Sequence, residues 1–515
     1  MNKRNKYYLT TAISYVNGPP HLGHAYEVIA SDTLARFKYL SNVETFFLTG
    51  TDEHGEKNVR SAEIIGMSPS EFTSNNSDLF EKMTKDLNIS NNDFIRTSDK
   101  AHHISAQSLW NKLLKADEIY LGTYGGWYSV RDEAYISEDE VSKTAKGKNV
   151  APSGAEVEWV EEPSYFFRLS KWTEKLLNHY NENINFIKPI SRKNEVVNFV
   201  KKGLKDISIS RKRLKWGIKV PNDDEHVMYV WLDALTNYIT GLGYPDLNND
   251  KFKKFWPADI HIIGKDIVRF HAVYWPAFLM AANIELPKQI FCHGFLNIEG
   301  NKMSKSLGNV LSPNELISTY GIDQLRYFLL REVPFGQDGS FSHTQIIQRI
   351  NGDLANDYGN LAQRVLSMVY KNCDQRIPNY SDLETGDIDL LDEINSLYPK
   401  YRELIEQDLA FHLTLTEIWK IISKVNRYID TNEPWVLKNS NIKRMQTVLF
   451  VSLEIIRNIT LLLQPFMPKS AEVLLNQLSV SLDHRKFNFV GKVGELKPGK
   501  KLPKPVGIFP RIENN

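Results

Sequence analysis

Over the first hundred residues, short runs rich in β-branched and aromatic residues alternate with segments whose apolar positions recur at helical spacing. The pattern predicts a strand at 7–14, a helix from about His24, a strand at 44–48, helices reaching residue 86 and a strand at 94–97. That alternation is the signature of a parallel α/β sheet. From about 116 to 220 the style changes to short strands and turns, with an acidic stretch and a flexible segment at 143–154, and reads as an inserted domain. The α/β pattern resumes with a helix around Trp231, a strand at 259–263, a helix at 267–282 and a strand at 289–295, so the first domain is split in sequence. Beyond about Gly339 strand signals stop. Apolar residues then return at helical spacing from 343 to 477, Leu354, Leu361, Val365 and Val369 among them, which predicts a helical bundle. The most apolar stretch, 448–467, is interrupted by Glu454, Arg457, Asn458 and Gln464, which favours a buried bundle helix over a membrane span. The last stretch, 491–511, is rich in Lys, Pro and Gly and predicts an extended tail.

Two segments at predicted strand ends carry candidate chemistry. Pro20-His21-Leu22-Gly23-His24 falls between the first strand and the first helix. Asn17-Gly18-Pro19-Pro20 supplies the turn, Gly23 removes a side chain, and both histidines lie on one face of a first turn whose free N–H groups favour a phosphate. Taken alone, the pair is also simply two polar residues at a helix start. The second segment, Asn301-Lys302-Met303-Ser304-Lys305-Ser306-Leu307-Gly308-Asn309, follows the last sheet strand. Two lysines among small hydroxylic neighbours bring mobile positive charge to a polyphosphate whose charge grows in the transition state. A lysine pair by itself is an ordinary solvated loop; its conjunction with H-x-G-H on the same split sheet gives both their meaning.

His21-Leu22-Gly23-His24 and Lys302-Met303-Ser304-Lys305-Ser306 resemble the two signature sequences of class I aminoacyl-tRNA synthetases. Ala12-Ile13-Ser14-Tyr15, Gly50-Thr51-Asp52-Glu53-His54-Gly55, the stretch 230–238 and the stretch 263–271 are similar to the methionyl-tRNA synthetase family within them. The resemblance implies ATP-dependent attachment of L-methionine to tRNA(Met), initiator included, through a methionyl-adenylate. It implies that Ile13, Tyr15, Trp231, Ala234, Leu235, Tyr238, Ile267 and His271 surround the methionine side chain while Asp52 holds the ammonium. A thioether suits an aromatic, polarizable wall with one or two polar contacts, although Trp231, Ala234, Leu235 and Tyr238 are at helical spacing and also read as plain core. Gly23, Glu27, Lys265, Asp266 and Lys305 are implied at ATP with Mg2+, and His21, His24, Lys302 and Lys305 in catalysis. Gly264-Lys265-Asp266 ends a predicted strand, where open α/β sheets bind nucleotides. Asn360, Arg364 and Trp435 resemble the family's anticodon-reading positions: the first two are i,i+4 on one helix face, and Trp435 follows a proline at a helix start. Outside the resemblance, a Trp beside a proline reads as a packing residue.

Composition narrows the alternatives. At 515 residues, several cores are expected at about 150 residues per domain. Hydrophobic residues at 42% and charged residues at 24% exclude a largely disordered or fibrous chain. Lys+Arg 63 against Asp+Glu 62 excludes a globally basic RNA coat, so any RNA site must be a local patch. One candidate is 190–219, where Arg192, Arg211, Lys212 and Arg213 are offered to the tRNA acceptor end, with a solvated basic face as the alternative. Cys292 and Cys373 are too few for a disulfide framework and suit a reducing compartment. Many relatives hold a structural zinc with cysteine pairs in the insertion; none occur between Ile119 and Ser191, so no structural zinc is expected and ordinary packing must suffice.

The fold expected is a Rossmann-like parallel-sheet catalytic domain in two halves, 1–115 and 223–298, with an inserted α+β connective domain at 116–222. A lysine-loop linking segment at 299–342, an all-α helical anticodon-binding domain at 343–490 and a C-terminal tail at 491–515 follow. A cytoplasmic monomer without a membrane span is expected. The competing functions are a synthetase for another apolar amino acid, for which the insertion of about a hundred residues is short of an editing domain, and a catalytically silent tRNA-binding paralogue.

Overall fold

The structure, a computed structural model, describes residues 5–144, 147–302 and 310–513. The chain divides into two compact units, residues 1–31 with 45–293 and residues 32–44 with 294–515.

The first unit is built on a seven-stranded sheet. Its strands are β1 (Lys6–Thr11), β2 (Ser14–Tyr15), β3 (Glu44–Asp52), β4 (Asp93–Arg96), Ile187–Lys188, Ile260–Gly264 and Ile290–His293. The order runs Ile187–Lys188, Ile290–His293, Ile260–Gly264, β1, β3, β2, with β4 also paired to β3. Leu9 is in parallel register with Ile260, His261 with Ile290, Tyr15 with Asp52, and Gly50 with Ile95. A parallel sheet covered on both faces needs apolar runs rather than alternation, and the last seven residues of β3 are all buried. Gly50 permits the β3–β4 approach, because a Cβ there would stand 2.0 Å from the Ile95 carbonyl oxygen.

Three expectations are refined. The predicted strand at 7–14 breaks after Thr11 and restarts as β2. The helix around Trp231 is two short helices, Val230–Leu235 and Asn237–Thr240. The predicted helix at 267–282 is a 3-10 turn, Lys265–Ile267, a π turn, Phe270–Tyr274, and an α-helix, Trp275–Ala281. Wide π turns accompany functional sites, and this one carries His271. Ile187–Lys188, within the segment read as an insertion, joins the main sheet beside Ile290–His293.

The insertion has its own antiparallel sheet, ordered Ile207–Ser208, Glu158–Phe167, Ile119–Ser129, Ala134–Ile136. Cross-strand aromatic pairs hold it: Trp127 meets Trp159 edge-on at 5.4 Å and Tyr120 stacks on Phe166 at 5.5 Å.

In the second unit, Leu296–Ile298 pairs with Asn301–Lys302 and with Gly339–Phe341. A helical array follows, from His343–Arg349 to Pro468–Gln477. Helix Ile442–Leu463 is apolar and long enough to cross a membrane, yet 94% of its apolar window is buried inside the bundle. Its polar interruptions have a task. Glu454 and Arg457 pair at 2.7 Å; Glu454 Oε1 accepts from the Gly494 and Leu496 N–H groups, and Arg457 donates to the Lys492 carbonyl at 2.6 Å. Asn458 accepts from Gly491 N–H and Gln464 donates to the Arg485 carbonyl. Three of these breaks in the hydrophobic pattern, Glu454, Arg457 and Asn458, are thus the clasp of the extended tail.

Helix α1 (Leu22–Leu40) begins in the first unit, and its residues from Asp32 onward belong to the second. There Asp32 accepts a buried ion pair from Arg326 at 2.7 Å, both side chains fully excluded from solvent. Arg326 also donates to the carbonyls of Pro465 and Phe466 at 2.9 and 3.0 Å. Removing one member of a buried pair strands the other charge. Arg326→Ala should therefore lower stability by about 3 kcal/mol in urea unfolding, softened by Arg36, which holds the same carboxylate at 2.8 Å.

Candidate active site

At the start of α1 the two signature histidines stack, ring centroids 3.8 Å apart and planes inclined by 27°. The Gly23 N–H donates to His21 Nδ1 and the His21 N–H to His24 Nδ1, both at 3.1 Å. Phe80 closes edge-on against His24 at 4.8 Å. The expectation that these N–H groups wait for an anion is therefore corrected: the imidazoles cap two of them. A neutral imidazole that accepts at Nδ1 carries its proton on Nε2, so each ring becomes a fixed N–H donor.

One turn on, Glu27 is largely but not wholly buried, and desolvation pushes its carboxyl up, partly offset by His293, whose Nε2 lies 2.8 Å from Oε2. His293 ends a sheet strand and meets Tyr26 edge-on. Lys265 and Asp266 form the 3-10 turn closing strand Ile260–Gly264, and Asp266 is near enough to raise Glu27 further. The sequence singled out Glu27 but not His293.

The residues expected around a methionine side chain come together. Ile13, Tyr15, Trp231 and Ile267 pack, partly buried, on one core containing Leu235 and Tyr238. Ala234 is buried on the same short helix as Trp231. Trp231 lies flat on Phe270 at 3.8 Å and edge-on to His271 at 6.1 Å; its indole N–H is buried without a partner among the described residues. His271 Nδ1 stands 3.0 Å from the Ile267 carbonyl, which can only accept, so Nδ1 carries the proton and Nε2 accepts the Tyr238 hydroxyl at 2.6 Å. Tyr238 is held in turn by stacking on His261, and its carbonyl accepts from Tyr8 Oη at 2.7 Å. The alternative of a plain core stripe fits Leu235, which is wholly buried, better than it fits Trp231.

Asp52 ends β3 directly beside Tyr15. Burial and the nearby Asp233 carboxylate push its carboxyl well above the usual range. The Tyr15 hydroxyl donates to Glu133 Oε1 at 2.9 Å, and the Lys57 N–H donates to the same oxygen at 2.6 Å. Nothing local in the sequence marks Glu133, at the tip of an insertion hairpin with φ +49°, as a residue that reaches Tyr15. Gly55, at φ +103°, is required there: a Cβ would stand 2.1 Å from the Tyr15 hydroxyl.

The basic segment is not a uniform phosphate dock. Arg211 is buried, its guanidinium over the Tyr128 and Tyr229 rings at 5.2 and 4.5 Å, and it donates to the Ser210 carbonyl at 2.7 Å. Its charge serves packing of the insertion against the site. Lys212 pairs with Glu225 at 2.6 Å and Arg192 with Glu195 at 2.7 Å.

Lys302 is described as the last residue of strand Asn301–Lys302; Lys305 lies outside the described residues. Among the described residues no group of three or more His, Cys, Asp or Glu side chains is disposed to hold a metal.

In the helical unit, Asn360 and Arg364 lie on helix Asn360–Asn372 and Trp435 on helix Pro434–Ser440. Asn360 and Arg364 border an open polar cleft of about 630 Å³ shared with Asn356, Arg427 and Asp430. Arg364 donates to Asp430 at 2.8 Å and sits 5.8 Å from the Trp435 ring, which is 40% exposed. A buried anchor would not be presented this way.

Residues 7–366 match a family model described as tRNA synthetases class I (M), and residues 377–515 match the anticodon binding domain of methionyl tRNA ligase. The chain is 53% identical over 508 residues to the methionine–tRNA ligase of Brucella suis biovar 1, covering 99% of this chain and 98% of that protein. It is 50% identical over 511 residues to the Mycobacterium tuberculosis methionine–tRNA ligase, covering 98% of each. A crystal structure of the Mycobacterium tuberculosis methionyl-tRNA synthetase bound by methionyl-adenylate matches with a TM-score of 0.96 at 50% identity, over 98% of this chain and 100% of that one.

Burial lowers the His271 pKa from 6.5 to about 4. The folded chain then binds fewer protons than the unfolded chain between those values, so stability is full above pH 6.5 and declines as pH falls toward 4. At about 1.4 kcal/mol per unit the loss approaches roughly 3 kcal/mol. Urea unfolding across that window should show a shallower decline in His271→Gln than in the parent.

Proposed function

Because the chain belongs to the methionyl-tRNA synthetase family of class I tRNA synthetases, its reaction is the ATP-dependent attachment of L-methionine to tRNA through a methionyl-adenylate, and we propose which of its residues carry each part. A methionine carboxylate oxygen attacks the α-phosphorus of ATP, the bond to the bridging oxygen breaks, and pyrophosphate leaves. A terminal ribose hydroxyl of tRNA then attacks the acyl carbon and releases AMP.

We assign the ammonium to Asp52 and the thioether to the wall of Ile13, Tyr15, Trp231, Ala234, Leu235, Tyr238, Ile267 and His271. The observation that carries this assignment is that Tyr15, Trp231 and Tyr238 pack on one core, with Asp52 in strand register with Tyr15 and His271 hydrogen-bonded to Tyr238. Neutral His271, its Nδ1 proton committed to Ile267, suits an apolar side chain that a charged imidazole would repel. The fixed Nε2 donors of His21 and His24 suit the ATP phosphates, with Gly23, Glu27, Lys265 and Asp266 as further ATP-binding residues. Lys302 and Lys305 are assigned to the charge that grows on departing pyrophosphate, so catalysis is positioning plus electrostatics without a dedicated general base. Magnesium enters with the nucleotide as Mg-ATP.

For RNA, Asn360 and Arg364 are assigned to base edges and Trp435 to stacking in the anticodon of tRNA(Met), initiator included; the exposed ring beside the polar cleft supports this. The enzyme is proposed to act as a cytoplasmic monomer.

Amino-acid-dependent ATP–pyrophosphate exchange tests the substrate: methionine alone should support it. Exchange with a branched aliphatic amino acid would overturn the pocket assignment, and absence of exchange would leave only RNA binding. In the same assay Lys305→Ala should depress turnover on the order of a hundredfold with little change in the KM for methionine; equal losses in both would count against the role. Trp435→Ala should raise the KM for tRNA about tenfold in aminoacylation, as base stacking predicts, and leave exchange untouched.

A further inference from the structure

Behind the residues assigned to methionine lies a buried charged group with no role in the reaction described. Asp233, wholly excluded from solvent, is gripped on both oxygens: His54 Nδ1 lies 2.6 Å from Oδ2 and His102 Nε2 lies 2.8 Å from Oδ1. The three residues come from three places. His54 follows β3, two residues after Asp52; His102 sits in the first turn of helix Lys100–Lys115; Asp233 is on helix Val230–Leu235. The His54 N–H also donates to Asp52 Oδ1 at 3.3 Å. On His102 the other nitrogen, Nδ1, stands 3.1 Å from Thr240 Oγ1, whose own hydrogen is directed to the Thr236 carbonyl at 3.0 Å. Both nitrogens of His102 are thus placed to donate. Trp216 closes the His54 side, ring edge-on at 5.3 Å and indole N–H on the Glu53 carbonyl at 2.6 Å.

We propose that His54 and His102 are positioning residues for the amino acid: by clamping Asp233 they join the helix bearing Trp231, Ala234 and Leu235 to the strand end bearing Asp52, and they compensate the Asp233 charge that would otherwise oppose the ionised form of Asp52 an ammonium needs. The inference rests on the residue assignment above. Its physical core is that one residue contacts two buried carboxylates, His54 reaching Asp52 through its backbone N–H and Asp233 through its ring. Like charges in a site of low polarity cannot both ionise without compensation. Burial opposes the Asp233 charge, but the facing histidines hold that carboxyl below its usual range, whereas Asp52 is pushed up by burial and by Asp233 itself. Removing a histidine leaves the Asp233 charge partly bare and pushes Asp52 further toward the protonated form, which offers an ammonium no counter-charge.

The test is methionine-dependent ATP–pyrophosphate exchange on the full chain. His54→Asn and His102→Asn should each raise the KM for methionine about tenfold while the KM for ATP moves less than about twofold. Adding Asp233→Asn to His54→Asn should recover part of the lost methionine affinity, since it removes the uncompensated charge; a purely structural role predicts a double variant worse than either single one. Trp231→Ala checks the underlying assignment. If it raises the KM for methionine and the histidine variants do not, the clamp is wrong and the pocket stands. If it leaves that KM unchanged, the pocket assignment fails and the clamp with it. Parallel rises in both KM values would overturn the proposal, as would loss of folding by circular dichroism in both histidine variants; if one alone unfolds, the other decides.

Discussion

A polar group buried in a parallel sheet must find its partner inside the protein, and that constraint organises the whole first unit. Thr10 meets His261 at 2.8 Å, Thr11 meets Thr49 at 2.7 Å, and Thr51 meets Ser77 at 2.6 Å. All lie in strands or helices covered on both sides, where an unpaired hydroxyl or imidazole would cost on the order of 1–3 kcal/mol. The first two stitch adjacent strands through their side chains as well as their backbones, and the third ties β3 to helix Pro69–Asp86. The carboxyl ends of β1, β3 and Ile260–Gly264 are cross-braced by these bonds, which fixes the direction of the side chains they project. Preorganisation of this kind is what a reaction run by positioning and electrostatics requires.

The site itself obeys the same rule with different groups. His21 and His24 accept from backbone N–H groups, His271 bridges a carbonyl and a tyrosine, and Glu27 rests on His293. Each histidine is locked by one nitrogen, which determines what the other can do. A ring whose Nδ1 accepts presents a donor; a ring whose Nδ1 donates presents an acceptor. The same residue type thereby presents donors at the start of α1 and, at the π turn, an acceptor taken up by the Tyr238 hydroxyl.

In the helical unit the constraint is met by separation. Helix Ile442–Leu463 buries almost everything it carries, and its few polar residues hold the returning tail. The cleft bordered by Asn360 and Arg364 instead leaves amide and guanidinium groups open to water, with Arg364 braced by Asp430 rather than buried. Bases of single-stranded RNA are read by edge hydrogen bonds and stacking, and both need groups presented in this way.

The sequence by itself determined the α/β start, the split by an insertion, the change to helices after about Gly339 and the two signature segments. Each follows from local information: hydrophobic period, turn residues and motif spacing act over a few residues. It also marked Glu454, Arg457 and Asn458 as breaks in an apolar helix, though not the tail they clasp. The tertiary structure alone decided which distant groups meet. His54 and Asp233 are 179 positions apart, His102 and Asp233 131, and Tyr15 and Glu133 118. It also turned Arg211 from a candidate phosphate contact into a buried cation between two tyrosine rings, and gave the helix-start N–H groups of the histidine motif to the histidines themselves. The physical reason is common to all of these. A period or a motif states what a residue can do, but a buried charge or donor takes whichever partner chain closure brings within about 3 Å, and no local pattern encodes that distance.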